Sequence, residues 1–356
     1  MGKTQAVLNI LLAVTLLIAA PDSADAKKKK DRVARDFRHA DTNNDGRLSP
    51  AEWKRRGNFE RLDANRDGTL SLNEVRAMYK GHGKKNYDWP PQGYTPPAVD
   101  IDPSIKADRK PESVLDYETR CGLGRSKRCD IAPQIKHGLL ETGTGPRFPD
   151  GVKCPGMDDY WGMDYASKRN RQSYHGGIDL PAAWGTPMRA VADGAVVAMH
   201  QKEMSKRGYE VILRHSPEQT GVPMWTYSGY GHLDKLPDFQ IGQRLKMGEI
   251  IGPTGNSGIA ARGGGQSLAR RPAIHLAMWY GETPHYSESD NVIIPVDGYW
   301  LDPFAFYRQK PPFFSPEVKA LPDNEKDVDI PVMFDDGSLL PPDTKMIWPY
   351  TCAKDE

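Results

Sequence analysis

The chain has 356 residues, of which 38% are hydrophobic, and its 48 basic and 47 acidic side chains leave a formal net charge of +1. The mean hydropathy of −0.65 is typical of a water-soluble protein, and the balanced charge provides no global field that would attract nucleic acid or a membrane surface. The 34 glycines and 30 prolines favour turns and extended connections over long helices. We therefore expect no nucleic acid among its partners.

The N-terminus has the pattern of a secretory signal peptide. Lys3 precedes an apolar stretch from Ala6 to Ala20, and "ADA" (24–26) supplies small residues before a cleavage point. This stretch is shorter than the roughly 20 residues that a membrane span needs. We predict cleavage after Ala26 and a periplasmic or secreted protein with no stable membrane span, the alternative being an uncleaved anchor.

Four cysteines follow the predicted cleavage point: Cys121, Cys129, Cys154 and Cys352. Outside the cytoplasm an even number of cysteines favours disulfides, and no CxxC spacing suggests a metal or redox site. Three pairings are possible. We favour a short Cys121–Cys129 loop together with a Cys154–Cys352 bond that ties down the C-terminal segment.

Two segments near the N-terminus have the pattern of EF-hand calcium loops, "DTNNDGRLSPAE" (41–52) and "DANRDGTLSLNE" (63–74). Calcium takes about six to eight oxygen ligands, and the seventh loop position contributes only its backbone carbonyl. Leu48 and Leu70 are expected to pack together where the loops pair. Asp/Asn-rich turns that bind no ion are the alternative, but they would have to occur twice in register. The predicted ligands of two calcium ions are Asp41, Asn43, Asp45, Arg47, Ser49 and Glu52 in the first loop and Asp63, Asn65, Asp67, Thr69, Ser71 and Glu74 in the second.

The rest of the chain predicts an α+β multidomain protein. A small helical EF-hand pair (31–80) precedes a Pro-rich linker (81–118). From 119 to 307, short apolar runs separated by Gly, Pro and Asp favour a mainly antiparallel β domain with an N-terminal extension. The Pro-rich segment 308–356 is expected to wrap the domain surface as a tail.

Three residues in the predicted β domain have the chemistry of a catalytic zinc site. His175 and Asp179 lie four positions apart in "HGGID", and His275 stands on a predicted strand between the small residues Ala273 and Ala277. Two imidazoles and one carboxylate suit zinc, with a fourth position open for water. His232, in "YGHL", is a non-ligand imidazole that could move protons or stabilise an oxyanion. The alternative, that each histidine is structural, is weakened by their occurrence together. For His215 and His200 we expect structural roles.

These motifs resemble those of the lysostaphin-like (LytM-type) zinc endopeptidases, which cut peptidoglycan peptides. "HGGID" resembles their His-x-x-x-Asp motif and "YGHL" (230–233) their Tyr-x-His-Leu, while 180–197, 241–258 and 301–306 are similar to further family segments. The resemblance covers about 150–307. It implies one zinc ion held by His175, Asp179 and His275, with His232 as a catalytic residue.

One position departs from the family pattern. The family usually ends this series with His-x-His, and alignment on Pro272 places Ala273 at the first histidine and His275 at the ligand. A positioned acid or base typically contributes about 10²–10⁴ in rate, so activity is expected to be reduced or lost.

Our leading hypothesis is a secreted or periplasmic zinc endopeptidase acting on peptidoglycan peptides. The first rival is a catalytically impaired module that binds cell wall or activates another cell-wall hydrolase. The second rival is a calcium-dependent surface factor with the β domain as its scaffold.

Overall fold

The computed structural model describes residues 34–53, 59, 63, 67–77, 87–124, 129–157, 165, 174–201, 205, 207–258 and 272–354. The predicted signal peptide (1–26) and Asn65 lie outside these residues. The chain divides into two units, Met1–Met78 and Tyr79–Glu356. Within the described ranges, no helix is both long and apolar enough to cross a membrane.

The first unit contains a short antiparallel pair between β1 (Arg47–Leu48) and β2 (Leu70–Ser71). Leu48 lies opposite Leu70, and both are buried, which confirms the expected packing of the eighth loop positions. Helical residues 34–40 precede the first loop, and the helix Leu72–Ala77 begins within the second. The described residues thus include the helix that enters the first loop and the helix that leaves the second, as expected of an EF-hand pair.

The second unit is built mainly from antiparallel strands. In chain order its strands are β3 (Gly145–Arg147), β4 (Val152–Lys153), β5 (Ile178–Pro181), β6 (Pro187–Arg189), β7 (Gly194–His200), β8 (Tyr209–His215), β9 (Trp225–Leu233), β10 (Arg244–Leu245), β11 (Ile250–Pro253), β12 (Ala273–Gly281), β13 (Tyr286–Ser289), β14 (Val292–Pro295), β15 (Tyr299–Leu301), β16 (Asp327–Asp329), β17 (Val332–Phe334), β18 (Leu339–Leu340) and β19 (Thr351–Lys354). The main sheet is seven-stranded, with the order β10-β7-β8-β9-β12-β15 and β5 paired to β12. The central strands are buried on both faces, which explains why sequences such as "GAVVAMH" are almost continuously apolar. The predicted fold class is confirmed.

Smaller sheets and short helices surround the main sheet. The pairs β11–β6, β13–β14 and β16–β3 each form a two-stranded sheet, and β18, β17, β19 and β4 form a four-stranded one. The described α-helices of this unit are Ser104–Asp108, Tyr117–Gly124, Ala132–Lys136, Pro217–Thr220, Pro303–Tyr307 and Ser315–Lys319, and the 3₁₀ turns are Glu112–Val114 and Asp323–Glu325.

The segment predicted as a Pro-rich linker differs from that expectation over its described part, 87–118. The backbone N–H of Asp102 donates to the carbonyl of Gly242 at 2.7 Å, and that of Lys110 donates to Tyr286 at 2.7 Å. Ile105 and Leu115 are buried. The prolines make this segment extended, but its apolar side chains pack on the β domain, so it is part of the second unit.

The C-terminal segment 308–356 also differs from the predicted surface tail. Trp348 and Tyr350 are fully buried, and they share one hydrophobic core with the strands of the main sheet. The indole N–H of Trp348 donates to the carbonyl of Pro155 at 2.7 Å. Prolines divide the segment into short strands, while its aromatic side chains complete the core. The two disulfides are Cys121–Cys129 and Cys154–Cys352, the favoured pairing.

Candidate metal centre

His175 is brought to the main sheet by the two glycines that follow it. Gly176 and Gly177 adopt φ angles of 70° and 151°, which glycine tolerates and other residues rarely adopt. The N–H of Gly176 donates to the carbonyl of Tyr165 at 3.0 Å. A Cβ atom at Gly177 would lie 2.6 Å from Nε2 of His275. The glycines therefore turn the chain into β5 and let it approach β12 closely.

His275 reaches the same place from β12. This strand pairs with β5 on one side and β9 on the other, so that His275 lies opposite Asp179 and Gly231. Oδ1 of Asp179 is 2.9 Å from Nδ1 of His275 and 3.2 Å from Nε2 of His175. One potential ligand atom from each residue lies within 4.8 Å of the other two, and all three side chains are buried. The convergence expected of these residues is therefore observed.

The group fits zinc in its chemistry and spacing. Zinc bonds of about 2.0–2.2 Å in a tetrahedron imply ligand–ligand distances of about 3.3 Å, close to the two distances to Asp179. Burial lowers the pKa of His275 well below its ordinary value and outweighs the opposing effect of its hydrogen bond to Asp179. A lowered pKa favours the neutral imidazole, which is the form that binds a metal ion. The buried carboxylate of Asp179 would likewise be stabilised by a metal cation at this point. The three side chains therefore fit one zinc ion.

Nε2 of His275 has no hydrogen-bond partner among the described residues. A ligating imidazole usually donates its second ring N–H to a carbonyl or carboxylate. Here Nδ1 of the ring lies 2.9 Å from Oδ1 of Asp179, and the backbone at Gly177 passes so close to Nε2 that a Cβ there would lie 2.6 Å from it. The space beside Nε2 therefore depends on the absence of a side chain at Gly177.

His232 lies beside this group, near the end of β9. Its ring centroid is 5.7 Å from that of His275, and its side chain is buried. Its φ angle is 66°, uncommon for a non-glycine residue. Nδ1 lies 2.7 Å from the carbonyl oxygen of Ser257. Because a carbonyl only accepts, Nδ1 carries the hydrogen, and Nε2 is the nitrogen that can take up a proton.

Ala273 begins β12 two positions before His275. It is buried and pairs with Pro181 of β5, and its N–H donates to the carbonyl of Gly255 at 3.0 Å. The register thus places a methyl group on the strand face that also bears His275. A methyl group can neither transfer a proton nor donate a hydrogen bond.

A buried charged network near the centre was missed by the sequence analysis. Glu210 on β8 is almost completely buried, pairs with Nη1 of Arg207, and lies 3.1 Å from Nδ1 of His200. His200 also contacts Glu288 at 3.2 Å through Nε2. Burial opposes protonation of His200, but its hydrogen bonds to the two carboxylates prevail and raise its pKa to about 9. The available signal was a single carboxylate in the apolar strand "YEVILRH".

His215 is held inside the sheet rather than at the metal group. Nδ1 lies 2.7 Å from the carbonyl of Asp193, and Nε2 lies 2.8 Å from Oγ of Ser228. Burial lowers its pKa to about 4. Both ring nitrogens are therefore used in local hydrogen bonds, which corresponds to a structural role.

In the first calcium loop the carboxylates at both ends face into the loop. Oδ1 and Oδ2 of Asp41 accept the N–H groups of Asp45 (3.1 Å) and Gly46 (2.9 Å). Oε2 of Glu52 accepts from the backbone and hydroxyl of Ser49 at 2.9 and 2.8 Å. The hydrogen bonds from Ser49, with those from Thr42, lower the pKa of Glu52 to about 2. Asn43 donates to Asp45 at 2.8 Å, so the predicted ligands lie together.

The second loop repeats this arrangement in its described part. Asp63 accepts the N–H groups of Asp67 and Gly68 at 3.0 and 2.6 Å, and Glu74 accepts from Ser71 at 2.7 Å. Arg47 of the first loop forms an ion pair with Asp67 and donates to Oγ1 of Thr69 at 2.9 Å. The side chain of Arg47, predicted to contribute only its carbonyl, therefore lies against a predicted ligand of the other loop.

Family models match both the segment that contains the metal group and the segment that contains the two calcium loops. Residues 173–286 match the family model "Peptidase family M23", and residues 34–55 and 59–79 match the family model "EF hand". Members of the first family are peptidoglycan-hydrolysing metallopeptidases. Its matched segment contains all three residues of the metal group and His232.

The solved structures that match this chain include the following peptidases. The catalytic domain of lysostaphin from Staphylococcus simulans is 22% identical, with 38% of this chain and 85% of that chain covered and a TM-score of 0.26. A variant of the prophage-encoded M23 protein EnpA from Enterococcus faecalis is 22% identical (43% and 95% covered, TM-score 0.27). A zinc-containing peptidase from Vibrio cholerae is 19% identical (42% and 37% covered, TM-score 0.27). At TM-scores this low, the solved structures carry no argument. The assignment of residues 173–286 to peptidase family M23 depends on the family model alone.

Proposed function

We propose that this chain, which carries a peptidase family M23 domain over 173–286 and an EF-hand pair within 34–79, is a zinc endopeptidase that cleaves peptide cross-links of peptidoglycan. The observation that carries this proposal is the buried convergence of His175, Asp179 and His275 on one point. The family supports peptide hydrolysis, and the donor set supports zinc.

The residues of the site have separate roles in this proposal. His175, Asp179 and His275 would hold one zinc ion, which supplies polarisation of the peptide carbonyl and a lower pKa for water. His232 is the catalytic residue: the carbonyl of Ser257 fixes its tautomer, and Nε2 exchanges a proton with the reacting peptide or stabilises the developing negative charge. Because Ala273 has no imidazole, His232 is the one imidazole of the usual pair that remains for this task.

The remaining parts of the chain define where the reaction occurs. The pattern of residues 1–26 supports export to the periplasm or the medium, and two disulfides are typical of an oxidising compartment. The EF-hand pair binds two calcium ions through the predicted loop ligands. After cleavage of the signal peptide, the protein has a calcium module and a peptidase domain. The Pro-rich segments on either side of the β strands pack on that domain and belong to it.

The test is a zinc analysis of the purified protein combined with digestion of cross-linked muropeptides. We expect about one zinc ion per wild-type chain. His275→Ala should lose both the zinc ion and the hydrolytic activity. His232→Ala should keep zinc but lose about 10²–10⁴ in kcat. His285→Ala is the matched control, because its side chain is 40% exposed and lies outside the metal group. Wild-type protein without zinc, or zinc retained by His275→Ala, would refute the proposal.

A second candidate function is favoured by Ala273. With one imidazole absent, the domain could bind cell-wall peptides or activate another cell-wall hydrolase without cutting. The Ala273→His variant separates the two functions. Zinc-loaded wild-type protein that binds muropeptides without hydrolysing them, with hydrolysis appearing only in Ala273→His, would establish the second function. Hydrolysis by the wild type would exclude it.

A further inference from the structure

Arg207 lies on the same strand surface as the metal group without belonging to it. On this surface Gly231 lies opposite His275, and Gly229 lies opposite Ala277. A Cβ atom at Gly231 would lie 2.8 Å from Cβ of Arg207. Because Gly229, Gly231 and Ala277 have little or no side chain, they leave space on this surface next to His275. The side chain of Arg207 fills that space.

The side chain of Arg207 is anchored at two points. Its guanidinium carbon lies 5.2 Å from the ring centroid of Trp279, a cation–π arrangement. Its Nη1 forms an ion pair with Glu210, whose side chain is only 1% exposed. Glu210 is itself held by His200 and by the hydroxyl of Ser205, at 3.1 Å each. The arginine is therefore fixed by a buried carboxylate and a buried ring.

The backbone of Arg207 contacts the candidate catalytic histidine. Its carbonyl oxygen accepts the N–H of His232 at 2.6 Å. His232 adopts a φ of 66°, a conformation that persists only when surrounding contacts enforce it. Among the contacts of His232 are this backbone hydrogen bond, the hydrogen bond of Nδ1 with the carbonyl of Ser257, and the packing of its ring against that of His275.

We propose that Arg207 is a positioning residue for His232. Its side chain, fixed by Glu210 and Trp279, holds the Arg207 carbonyl in place, and the carbonyl holds His232 in its left-handed conformation beside the metal group. This proposal depends on the proposed function for its effect on hydrolysis, but its effect on the conformation of His232 can be measured independently.

The experiment compares wild type with Arg207→Gln, Arg207→Lys and the control Arg244→Gln, using the full-length, zinc-loaded protein with its disulfides intact. Arg244 lies at the surface, where it pairs with Asp100 at 2.9 Å. The measurements are zinc content, kcat and KM on cross-linked muropeptides, and hydrogen exchange of the His232 amide, with the amide of Leu213 as an internal reference within the sheet.

We expect Arg207→Gln to reduce kcat by about 10- to 100-fold, because misplacement of a catalytic group has effects of this order. Zinc content and KM should be unchanged, and the His232 amide should exchange at least about 10-fold faster while the Leu213 amide does not. Arg207→Lys should recover part of both effects, because it keeps the charge opposite Glu210. Arg244→Gln should match the wild type.

Two results would overturn the inference. One is an unchanged exchange rate at His232 in Arg207→Gln. The other is faster exchange at His232 and Leu213 together, which indicates general loosening of the sheet. If the wild type binds zinc but hydrolyses nothing, the proposed function fails, whereas the exchange measurement still decides the role of Arg207.

Discussion

The calcium loops and the metal group are built in opposite ways. Each calcium loop takes all its predicted ligands from one continuous segment, such as 41–52, and its carboxylates accept hydrogen bonds from backbone groups of that same segment. The metal group joins residues almost a hundred positions apart through the pairing of β5 with β12. A local site depends on its own turn, whereas a non-local site depends on strand register and close packing. The two sites should therefore respond to different substitutions.

The largest expected effect is that of Gly177→Ala. A Cβ there would lie 2.6 Å from Nε2 of His275 and 2.7 Å from the carbonyl of Leu276. We expect loss of zinc and of any hydrolysis, and a decrease of about 2–4 kcal/mol in the free energy of unfolding of the second unit. Zinc analysis and urea titration measure both, and calcium binding should not change.

Gly337→Ala is the matched control for Gly177→Ala. Gly337 also has a positive φ, 83°, but a Cβ there would meet nothing within 4 Å. It should cost only about 1 kcal/mol of backbone strain and leave zinc in place. Equal zinc loss in both variants would show that strain, rather than contact with His275, determines the geometry of the centre.

The next effect is the converse change in a calcium loop, Glu52→Gln. This substitution removes a carboxylate that closes the first loop, and we expect calcium affinity of that loop to fall about 10-fold or more. Calorimetric calcium titration measures it, with zinc content as the internal control. A parallel loss of zinc would contradict the independence of the two sites.

A smaller effect concerns the pH dependence of stability in the second unit. His200 has a pKa raised to about 9 in the folded protein, against about 6.5 when unfolded. Its stabilisation is therefore complete below about pH 6.5 and is lost as the pH rises through about 9, by about 3 kcal/mol. Urea unfolding at pH 6 and pH 9.5 should show this decrease, and His200→Gln should remove it. The same decrease in the variant would assign it to other groups.

The smallest effect is expected for Arg47→Ala in the first unit. Arg47 pairs with Asp67, a predicted ligand of the second loop, so its charge competes with calcium there. Because the pair is exposed, we expect only a few-fold gain in calcium affinity of the second loop. Calcium titration at low ionic strength measures it, with Arg38→Ala as a control outside the loop. Weaker binding in Arg47→Ala would mean that the side chain supports the loop.

Much of the candidate site could be predicted because its motifs have chemical requirements of their own. Calcium loops need oxygen donors at set positions and a glycine at the sixth, and "HGGID" combines two ligand types with the flexibility to turn them together. The pairing of Leu48 with Leu70 followed from loop position alone. In contrast, the Pro-rich composition of 81–118 and 308–356 suggested a linker and a surface tail, although Ile105 and Trp348 are buried.

By itself, the amino-acid sequence determined which residues have the chemistry to bind calcium and zinc, where turns occur, and that Ala273 has no proton to transfer. These properties belong to individual side chains and short segments. Only the tertiary structure decided that Arg207, Glu210 and His200 form a buried network next to the centre, and that the C-terminal segment completes the core. Such contacts depend on which surfaces meet when distant strands pair, and the local sequence around each residue does not specify that pairing.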